Sequence, residues 1–502
     1  MSFSMQSPIA PFRRAVSRVA TSSRAPDGFT LTRTGTAPLV LAVLLASGCT
    51  VGPAYVRPTT PDISSYKEAE GWVPAAPADA LERGPWWQLF GDPVLSGLAA
   101  QVEVSNQNVA AAVAAYAQAR AVVREQQAAI FPTVALNSGA NRSHSGTSGS
   151  SATGNGGRTG NSYQLSIGSS WEPDVWGRLG QAIDSAAASA QASAADLASA
   201  RLSAQGELAI NYLSLRQVDA QRALLKTTLE AFTRSLQITQ NRYAAGIAAK
   251  TDLLQAQTQL ANAEADYAGL ARQRAQLEHA VAVLVGQAPG AFSIAPVAWQ
   301  PLVPSIPVGV PSTLLQRRPD IAAAERRVAA NNAQIGIARA AYYPSFSLGA
   351  SYGLGASRVA DLFSASSSTW SFGLSAAQAL FSAGATTARV EATEAALAQA
   401  VARYRQVVLS AFQNVEDQLA ASRFLTDQQS LRTQASQAAD QVEQQVLNRY
   451  RAGQVGFTEV ITSQATALSA RRALVQAVAD RQTNAVALVQ ALGGGWQAEP
   501  VP

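Results

Sequence analysis

The feature that most restricts the fold is a pair of very long segments without proline. Residues 178–243 and 385–450 each span about 66 positions that are rich in Ala, Gln, Ser and Arg. Proline inside a helix removes a backbone hydrogen bond and breaks the helix, so each segment is free to form one uninterrupted helix. At 1.5 Å per residue, such a helix would be about 100 Å long. The sequence therefore predicts a mainly α, elongated molecule.

These two segments belong to an internal repeat. The sequence NRYAAG at 241–246 recurs as NRYRAG at 448–453, an offset of 207 residues (241 to 448). The same offset relates Gly177 to Gly384, Asp252 to Glu459 and Gly286 to Gly493. Self-similarity at a fixed spacing indicates that one structural unit occurs twice. The shorter helices of the two units are expected at about 93–130 with 251–285, and at 320–342 with 458–492.

Alternation of apolar with small or polar residues, strict in the second half of the chain and less regular in the first, predicts four β-strands, two in each repeat. The apolar positions are Val134, Leu136 and Ala140; Tyr163, Leu165, Ile167 and Trp171; Phe346, Leu348, Ala350, Tyr352 and Leu354; and Trp370, Phe372, Leu374 and Ala376. Strands with one apolar face suit either a transmembrane barrel or a half-buried sheet in a soluble domain. In a membrane, four strands are too few, since the smallest closed barrels have about eight. A membrane location would therefore require self-association.

The N-terminus has the pattern of an export signal. Several arginines precede the apolar run 37–46, which is too short to span a bilayer but fits the core of a signal peptide. Cys49, the only cysteine, follows directly after Ser47 and Gly48, where a bacterial lipoprotein would be cleaved and acylated. The usual leucine three positions before the cysteine is replaced by Ala46. The alternative is an ordinary signal peptide with an incidental cysteine.

Composition argues against several functions. The net charge of +5 is small for 502 residues and the arginines are scattered along the helices, which disfavours nucleic-acid binding. One cysteine excludes an internal disulfide, and the distant His144 and His279 do not suggest a metal site. The sequence contains no phosphate-binding loop or nucleophile motif, so neither a cofactor nor an enzymatic activity is expected.

The whole layout resembles the TolC/NodT-type outer-membrane efflux lipoprotein family, the outer-membrane factors of tripartite efflux pumps. The most telling motifs are GPAYVRP at 52–58, the two NRYxAG turns, RRPDI at 317–321 and FQNVED at 412–417. The resemblance implies a homotrimer in which each chain gives four strands to a shared twelve-stranded transmembrane β-barrel, on a long periplasmic α-helical barrel. The strand count alone would equally permit an eight-stranded dimer.

The resemblance also implies site residues. Turn residues Ala244, Ala245, Gly246, Arg451, Ala452 and Gly453 would form periplasmic tips that dock a membrane-fusion adaptor. Asp252 and Glu459 would narrow the periplasmic gate, although Thr462 stands where relatives can carry a second acid. Both carboxylates also follow a threonine at a predicted helix start, where negative charge stabilises the helix dipole.

The implied function is that of a lipid-anchored outer-membrane exit duct for small toxic compounds, working with a periplasmic adaptor and an inner-membrane proton-driven pump. Alternatives are a duct for type I protein secretion and a pore-less periplasmic coiled-coil scaffold lipoprotein. The predicted organisation is a lipoprotein signal peptide (1–48), an N-terminal anchor and equatorial segment (49–91), a first repeat (92–290), a linker (291–319), a second repeat (320–493) and a C-terminal tail (494–502).

Overall fold

The computed structural model describes residues 50–60, 66–68, 85–145, 158–306 and 318–494. The predicted signal peptide at 1–48, the predicted lipid anchor Cys49 and residues 495–502 of the predicted tail lie outside the described residues.

The described residues form seven α-helices. They are α1 (Pro93–Ser105), α2 (Gln107–Ala128), α3 (Arg178–Ala244), α4 (Lys250–Leu284), α5 (Pro319–Ala340), α6 (Ala385–Arg451) and α7 (Phe457–Ala491). Helices α3 and α6 have 67 residues each, and α4 and α7 have 35 each. The offset of 207 residues holds at both ends of each pair, as in 178 to 385 and 250 to 457. The mainly α fold and its duplicated unit are confirmed.

Glycines with a left-handed backbone end the long helices. Gly246 and Gly453 have φ values of 75° and 74°, a conformation that glycine adopts at little cost. Gly453 N donates to Tyr450 O at 2.9 Å, and Gln454 N donates to Arg449 O at 2.9 Å. This is the Schellman pattern, which satisfies the last carbonyls of a helix. The repeated NRYxAG sequence is therefore a repeated helix stop.

One predicted helix is wrong, because the stretch expected to be continuous over 93–130 is split at Asn106. The Asn106 side chain accepts hydrogen bonds from Asn108 N (3.0 Å) and Val109 N (3.1 Å), and so caps the start of α2. Its Nδ2 donates to Leu284 O at 2.7 Å, a carbonyl at the end of α4. Asn106 is buried and joins two helix ends whose backbone groups would otherwise be unsatisfied.

We expect Asn106→Ala to lower the free energy of unfolding by about 1–2 kcal/mol, because it removes a helix cap and leaves a buried carbonyl without its donor. Urea denaturation of the detergent-solubilised protein, followed by circular dichroism, measures the change. Gln107→Ala, at the exposed neighbouring position, is the control and should change stability little. Equal stability of both variants would contradict the role of Asn106.

Helix α3 lies at the centre of the bundle. It packs against α2 and α4 of its own repeat and against α5 and α7 of the second repeat, whereas α6 makes its main contacts with α5 and α7 alone. The largest core cluster includes Leu208 and Tyr212 of α3 with Val408 and Val415 of α6. No described helix is both long and apolar enough to cross a membrane.

A buried polar network braces the middle of the bundle. Tyr212 Oη donates to Asp92 Oδ2 at 2.6 Å, and Arg216 Nε donates to Tyr212 Oη at 2.9 Å. Asp219 Oδ1 accepts from Arg274 Nε at 2.7 Å, while its other oxygen lies 3.5 Å from Arg216 Nη1. Burial, and then the hydrogen bond to Asp92, raise the pKa of Tyr212 above its ordinary value. The network ties the start of α1 to α3 and α4.

The strands form one antiparallel sheet in the order β1-β2-β3-β4. The strands are β1 (Thr133–Ser145), β2 (Arg158–Trp171), β3 (Ser345–Ala356) and β4 (Ser368–Ala377). Strands β1 and β2 belong to the first repeat, and β3 and β4 belong to the second. The pairing of β2 with β3 therefore joins the two repeats in a single sheet at one end of the long helices.

Candidate functional site

One face of the sheet is apolar across all four strands. Leu136 pairs with Ile167, Ile167 with Tyr352, and Tyr352 with Trp370, so their side chains form one row. Directly paired residues point to the same side of a sheet. The register also places the other apolar side chains that the alternation predicted on this face. Large members of the face are exposed; Phe372, for example, is 70% exposed.

The opposite face carries Ser, Gly, Asn, Gln and Thr. Ser347 and Ser375 lie directly opposite each other with their hydroxyl oxygens 2.7 Å apart, and those of Ser351 and Ser371 are 2.8 Å apart. These paired hydroxyls form a polar surface with small side chains. A sheet of this kind fits a membrane barrel, in which the apolar face meets lipid and the hydrophilic face meets water.

The outer strands of the sheet have open edges. Within the described residues, β1 pairs only with β2 and β4 pairs only with β3. An open edge exposes a row of backbone donors and acceptors, and hydrocarbon offers them no partners. The sheet is therefore complete as a membrane element only when other strands cover both edges.

The chain after the predicted anchor begins at the junction of sheet and helices. Val51 N donates to Trp176 O at 3.3 Å, and Thr50 packs against Gly177 at the start of α3. From there, residues 50–60 run along the helices: Asn332 Nδ2 donates to Pro53 O at 2.9 Å. Tyr55 Oη donates to a Glu325 carboxylate oxygen; burial, and then this bond, raise the pKa of Tyr55 above its ordinary value. Residue 50 is thus held beside the base of the sheet.

The tips of the two repeats lie side by side at the other end of the long helices. The guanidinium of Arg242 lies 4.8 Å from the centre of the Tyr450 ring, a cation–π contact between the repeats. Tyr450 also packs against Phe457, with ring centres 5.6 Å apart. The predicted docking residues are all exposed in the chain: Ala244, Ala245, Gly246, Arg451, Ala452 and Gly453. The structure therefore brings both predicted turns together at one surface.

The predicted gate carboxylates occupy equivalent positions just beyond these turns. Asp252 lies in the first turn of α4 and Glu459 in the first turn of α7, where negative charge favours the helix dipole. Their neighbouring threonines do not cap the helices, since the N-cap residues are Ala249 and Gly456. Among the described residues, neither carboxylate makes an ion pair or side-chain hydrogen bond.

No three His, Cys, Asp or Glu side chains in the described ranges cluster in a way that could hold a metal ion. The sequence interpretation missed the buried group of Arg216, Asp219 and Arg274, which braces the bundle. The charged Arg216 and Asp219, which follow closely after the apolar Leu213 and Leu215, were the available signal for it.

A two-faced sheet with open edges, joined to helices of 67 residues that end in a paired tip, defines a channel-forming protein of the bacterial outer membrane. Comparison with known proteins agrees, because residues 98–287 and 310–494 match the family described as outer membrane efflux protein. The chain belongs to the outer membrane efflux protein family. It is located in the outer membrane with a periplasmic helical extension, and the expectation that it is not an enzyme is confirmed.

Relatives are similar over nearly their full length. The chain is 30% identical over 462 residues to the probable efflux pump outer membrane protein TtgC of Pseudomonas putida, which covers 91% of this chain and 95% of the relative. It is 31% identical to the pyoverdine export outer membrane protein OpmQ of Pseudomonas aeruginosa, covering 92% and 97%. The solved outer-membrane channel OprN superimposes with a TM-score of 0.81 at 31% identity, covering 89% and 100%.

Proposed function

We propose that three copies of the chain form the exit duct of a tripartite efflux pump for small toxic compounds, with a periplasmic membrane-fusion adaptor and an inner-membrane proton-driven pump as partners. The duct then consists of a twelve-stranded barrel built from three sheets and a hollow cylinder built from the long helices. Transport through it is passive, and the inner-membrane pump supplies the energy.

The observation that carries this proposal is the two-faced, open-edged sheet. Three four-stranded sheets that pair β1 of one copy with β4 of the next give twelve strands with no edge left open. The apolar face then meets lipid, and the paired serines of the other face line a water-filled bore. The names of three relatives support an efflux role, since they describe an antibiotic efflux pump protein, a toluene efflux pump protein and a cation efflux system protein.

The proposed lipid anchor is Cys49. Thr50 lies at the base of the sheet, where a membrane surface would meet the helices, so an acyl chain on the preceding residue would reach the lipid directly. Each buried methylene of such a chain adds about 0.8 kcal/mol to membrane binding.

Cys49→Ser should reduce incorporation of labelled palmitate to background, while the protein stays in the outer-membrane fraction because its sheet still holds it there. Cys49 is the only cysteine, so no other thiol competes for the label. Ser47→Ala, which keeps a small residue before the cleavage point, is the control and should retain full labelling. Full labelling of the Cys49→Ser variant would rule out this anchor.

The proposed gate consists of the Glu459 and Asp252 side chains of the three copies, near the tips that dock the adaptor. Rings of acidic side chains control cation passage through many pores. In a planar bilayer, the purified wild-type protein should show a small single-channel conductance. Glu459→Ala should raise it several-fold, because the shorter neutral side chain widens the bore and removes a cation-binding position.

Asp427→Ala removes the same charge from an exposed position of α6 far from the tip, and it should leave the conductance unchanged. Equal conductance of Glu459→Ala and wild type would remove Glu459 from the gate. A monomer that becomes soluble after loss of its acyl chain and carries no current would overturn the duct and favour a scaffold.

Growth assays with the pump genes deleted separate drug efflux from protein secretion. Loss of drug efflux changes the sensitivity of the cells to toxic compounds, whereas loss of protein secretion changes the amount of an exported polypeptide in the medium.

A further inference from the structure

The apolar face of the sheet gives way to polar side chains at the end away from the helices. Strands β1 and β2 pair in one unbroken register from residue 133 to residue 145 of β1. Side chains alternate along a strand, so the even-numbered residues of β1 all lie on the same side as Leu136. Arg142 and His144 are the last two described side chains on that side, and both are exposed.

Two neighbouring rows of paired residues form what we call the Arg142 patch. Arg142 pairs with Asn161 and His144 pairs with Thr159, so the four side chains project from the same face. His144 Nδ1 lies 2.8 Å from Thr159 Oγ1, and all four side chains are exposed. The patch combines a guanidinium, an amide, an imidazole and a hydroxyl, each of which can donate a hydrogen bond to an anion.

The hairpin that carries the patch contains no carboxylate. The complete sequence from residue 133 to residue 171, connecting loop included, has two arginines, one histidine and no Asp or Glu. No residue of this segment can therefore form an ion pair with Arg142. On the second hairpin the carboxylate of Asp361 lies 3.9 Å from Arg358 of its own loop. The net positive charge of the first hairpin attracts anions.

The patch lies at the height of the outer membrane boundary. Arg142 comes nine residues after Thr133 (133 to 142), which is about 30 Å along a strand at about 3.3 Å per residue. A tilt of about 40° reduces this to a height of about 23 Å, close to the apolar band of about 25 Å in membrane barrels. Tyr163 pairs with Ala140, one row below Arg142, and tyrosine is enriched at membrane–water interfaces. Both measures place the Arg142 guanidinium where hydrocarbon ends.

The second repeat shows that strand pairing does not require a cation at this position. The segment Phe131–Pro132 corresponds to Tyr343–Pro344, an offset of 212 residues (131 to 343), so Arg142 corresponds to Leu354 of β3. Leu354 continues the apolar face without a change of register. The arginine is therefore a feature of the first hairpin alone, beyond what the common fold of the two repeats needs.

We propose that the Arg142 patch binds the phosphate groups of lipopolysaccharide, the phosphorylated glycolipid of the outer leaflet of a bacterial outer membrane. The planar guanidinium of Arg142 matches a phosphate group with two parallel hydrogen bonds. Asn161 and His144 add further donors beside it. The acyl chains of the same lipid lie along the apolar rows below, such as the row of Leu136 and Ile167. The site rests on the proposed function in one respect, since the apolar face must meet lipid.

A lipid-binding measurement on the detergent-solubilised full-length protein tests the site, with fluorescently labelled lipopolysaccharide as the probe. Arg142→Gln should weaken binding about tenfold, because a hydrogen bond between two charged groups is lost. The matched variant Arg142→Ser/Ser143→Arg keeps the composition and the net charge but moves the guanidinium to the polar face. It should weaken binding as much as Arg142→Gln does.

A second control separates the patch from general attraction between a positive protein and an anionic lipid. Arg358→Gln removes the same charge from the other hairpin, where Asp361 already pairs with it, and should change the affinity less than twofold. Equal weakening by Arg142→Gln and Arg358→Gln would overturn the site. Wild-type affinity in Arg142→Gln or in Arg142→Ser/Ser143→Arg would overturn it as well.

Competition distinguishes a lipid phosphate from a free phosphate. Unlabelled lipid A, the phosphorylated lipid part of lipopolysaccharide, should displace the labelled probe, whereas lipid A stripped of its phosphates should not. Inorganic phosphate at the same concentration should leave the probe bound. Displacement by inorganic phosphate, or equal displacement by the stripped lipid, would overturn a lipid-phosphate site.

Light scattering and single-channel current on the same samples separate the site from the proposed function. A conducting trimer that binds lipopolysaccharide equally well with and without Arg142 overturns the patch and leaves the duct standing. A monomer that carries no current overturns the duct, while a tenfold effect of Arg142→Gln on that monomer would still support the patch.

Discussion

Asp219→Ala should be the most destabilising single substitution in the helical bundle, lowering the free energy of unfolding by about 3–5 kcal/mol. The Asp219 side chain is 4% exposed and lies between the guanidinium groups of Arg216 and Arg274, whose side chains are 3% and 11% exposed. Its removal leaves the buried Arg216 without a carboxylate partner, while Arg274 keeps only the carboxylate of Glu278, at 3.1 Å. Water does not reach them easily, so neither charge is solvated in compensation.

The repeat supplies a matched control for this experiment. Thr426 is the counterpart of Asp219 in α6 and is exposed, so Thr426→Ala should change stability by less than about 0.5 kcal/mol. Thermal unfolding of the detergent-solubilised protein, followed by circular dichroism, compares the two variants with wild type. Similar melting temperatures for Asp219→Ala and Thr426→Ala would show that the network contributes little to stability.

Phe372→Arg should prevent assembly in the outer membrane, whereas Ser371→Arg should be tolerated. Phe372 is on the apolar face in the middle of β4, and an arginine facing lipid at that depth costs about 2–4 kcal/mol in each copy. Ser371 is adjacent in sequence but lies on the opposite face, where its hydroxyl pairs with that of Ser351. An arginine there extends into water and loses only one exposed hydrogen bond.

The measurement is the amount of heat-modifiable oligomer in purified outer membranes, with total expression as the reference. Ser371→Arg should reach a level close to wild type, and Phe372→Arg should be largely absent or degraded. The opposite order would mean that the polar face is turned towards lipid. Equal loss in both variants would mean that added bulk, and not the polarity of the face, decides insertion.

Sequence reasoning was most accurate where backbone chemistry alone decides the structure. The predicted ends of the long helices, at 243 and 450, differ by one residue from the observed ends at Ala244 and Arg451. Glycine at a positive φ and the absence of proline are local signals, so no tertiary information was needed. The faces of the sheet were equally predictable, because side chains alternate along a strand whatever its neighbours are.

Features that depend on distant residues were not predicted. Asn106 interrupts a helix because a carbonyl at Leu284 needs a donor, and nothing near Asn106 in the sequence reveals that partner. The Arg274 partner of Asp219 is likewise on another helix. The positions of Asp252 and Glu459 were predicted, but their role in a gate depends on neighbouring copies and remains a prediction.

The two turns at the tip place their positive charges differently. Both end in the same glycine stop, but the residue after NRY is Ala244 in the first repeat and Arg451 in the second. The turns also differ at their far ends, where the exposed Lys250 begins α4 and the buried Phe457 begins α7. In the proposed trimer, six turns of nearly equal shape would therefore carry this cation at two alternating positions, directly after NRY in one turn and at the start of the following helix in the other. An adaptor subunit that recognises only the shape would have six equivalent binding positions. An adaptor subunit with an acidic contact would distinguish two kinds of binding position. The rim thus has sixfold symmetry in outline and threefold symmetry in charge, and charge can set the rotational phase of the docked adaptor ring.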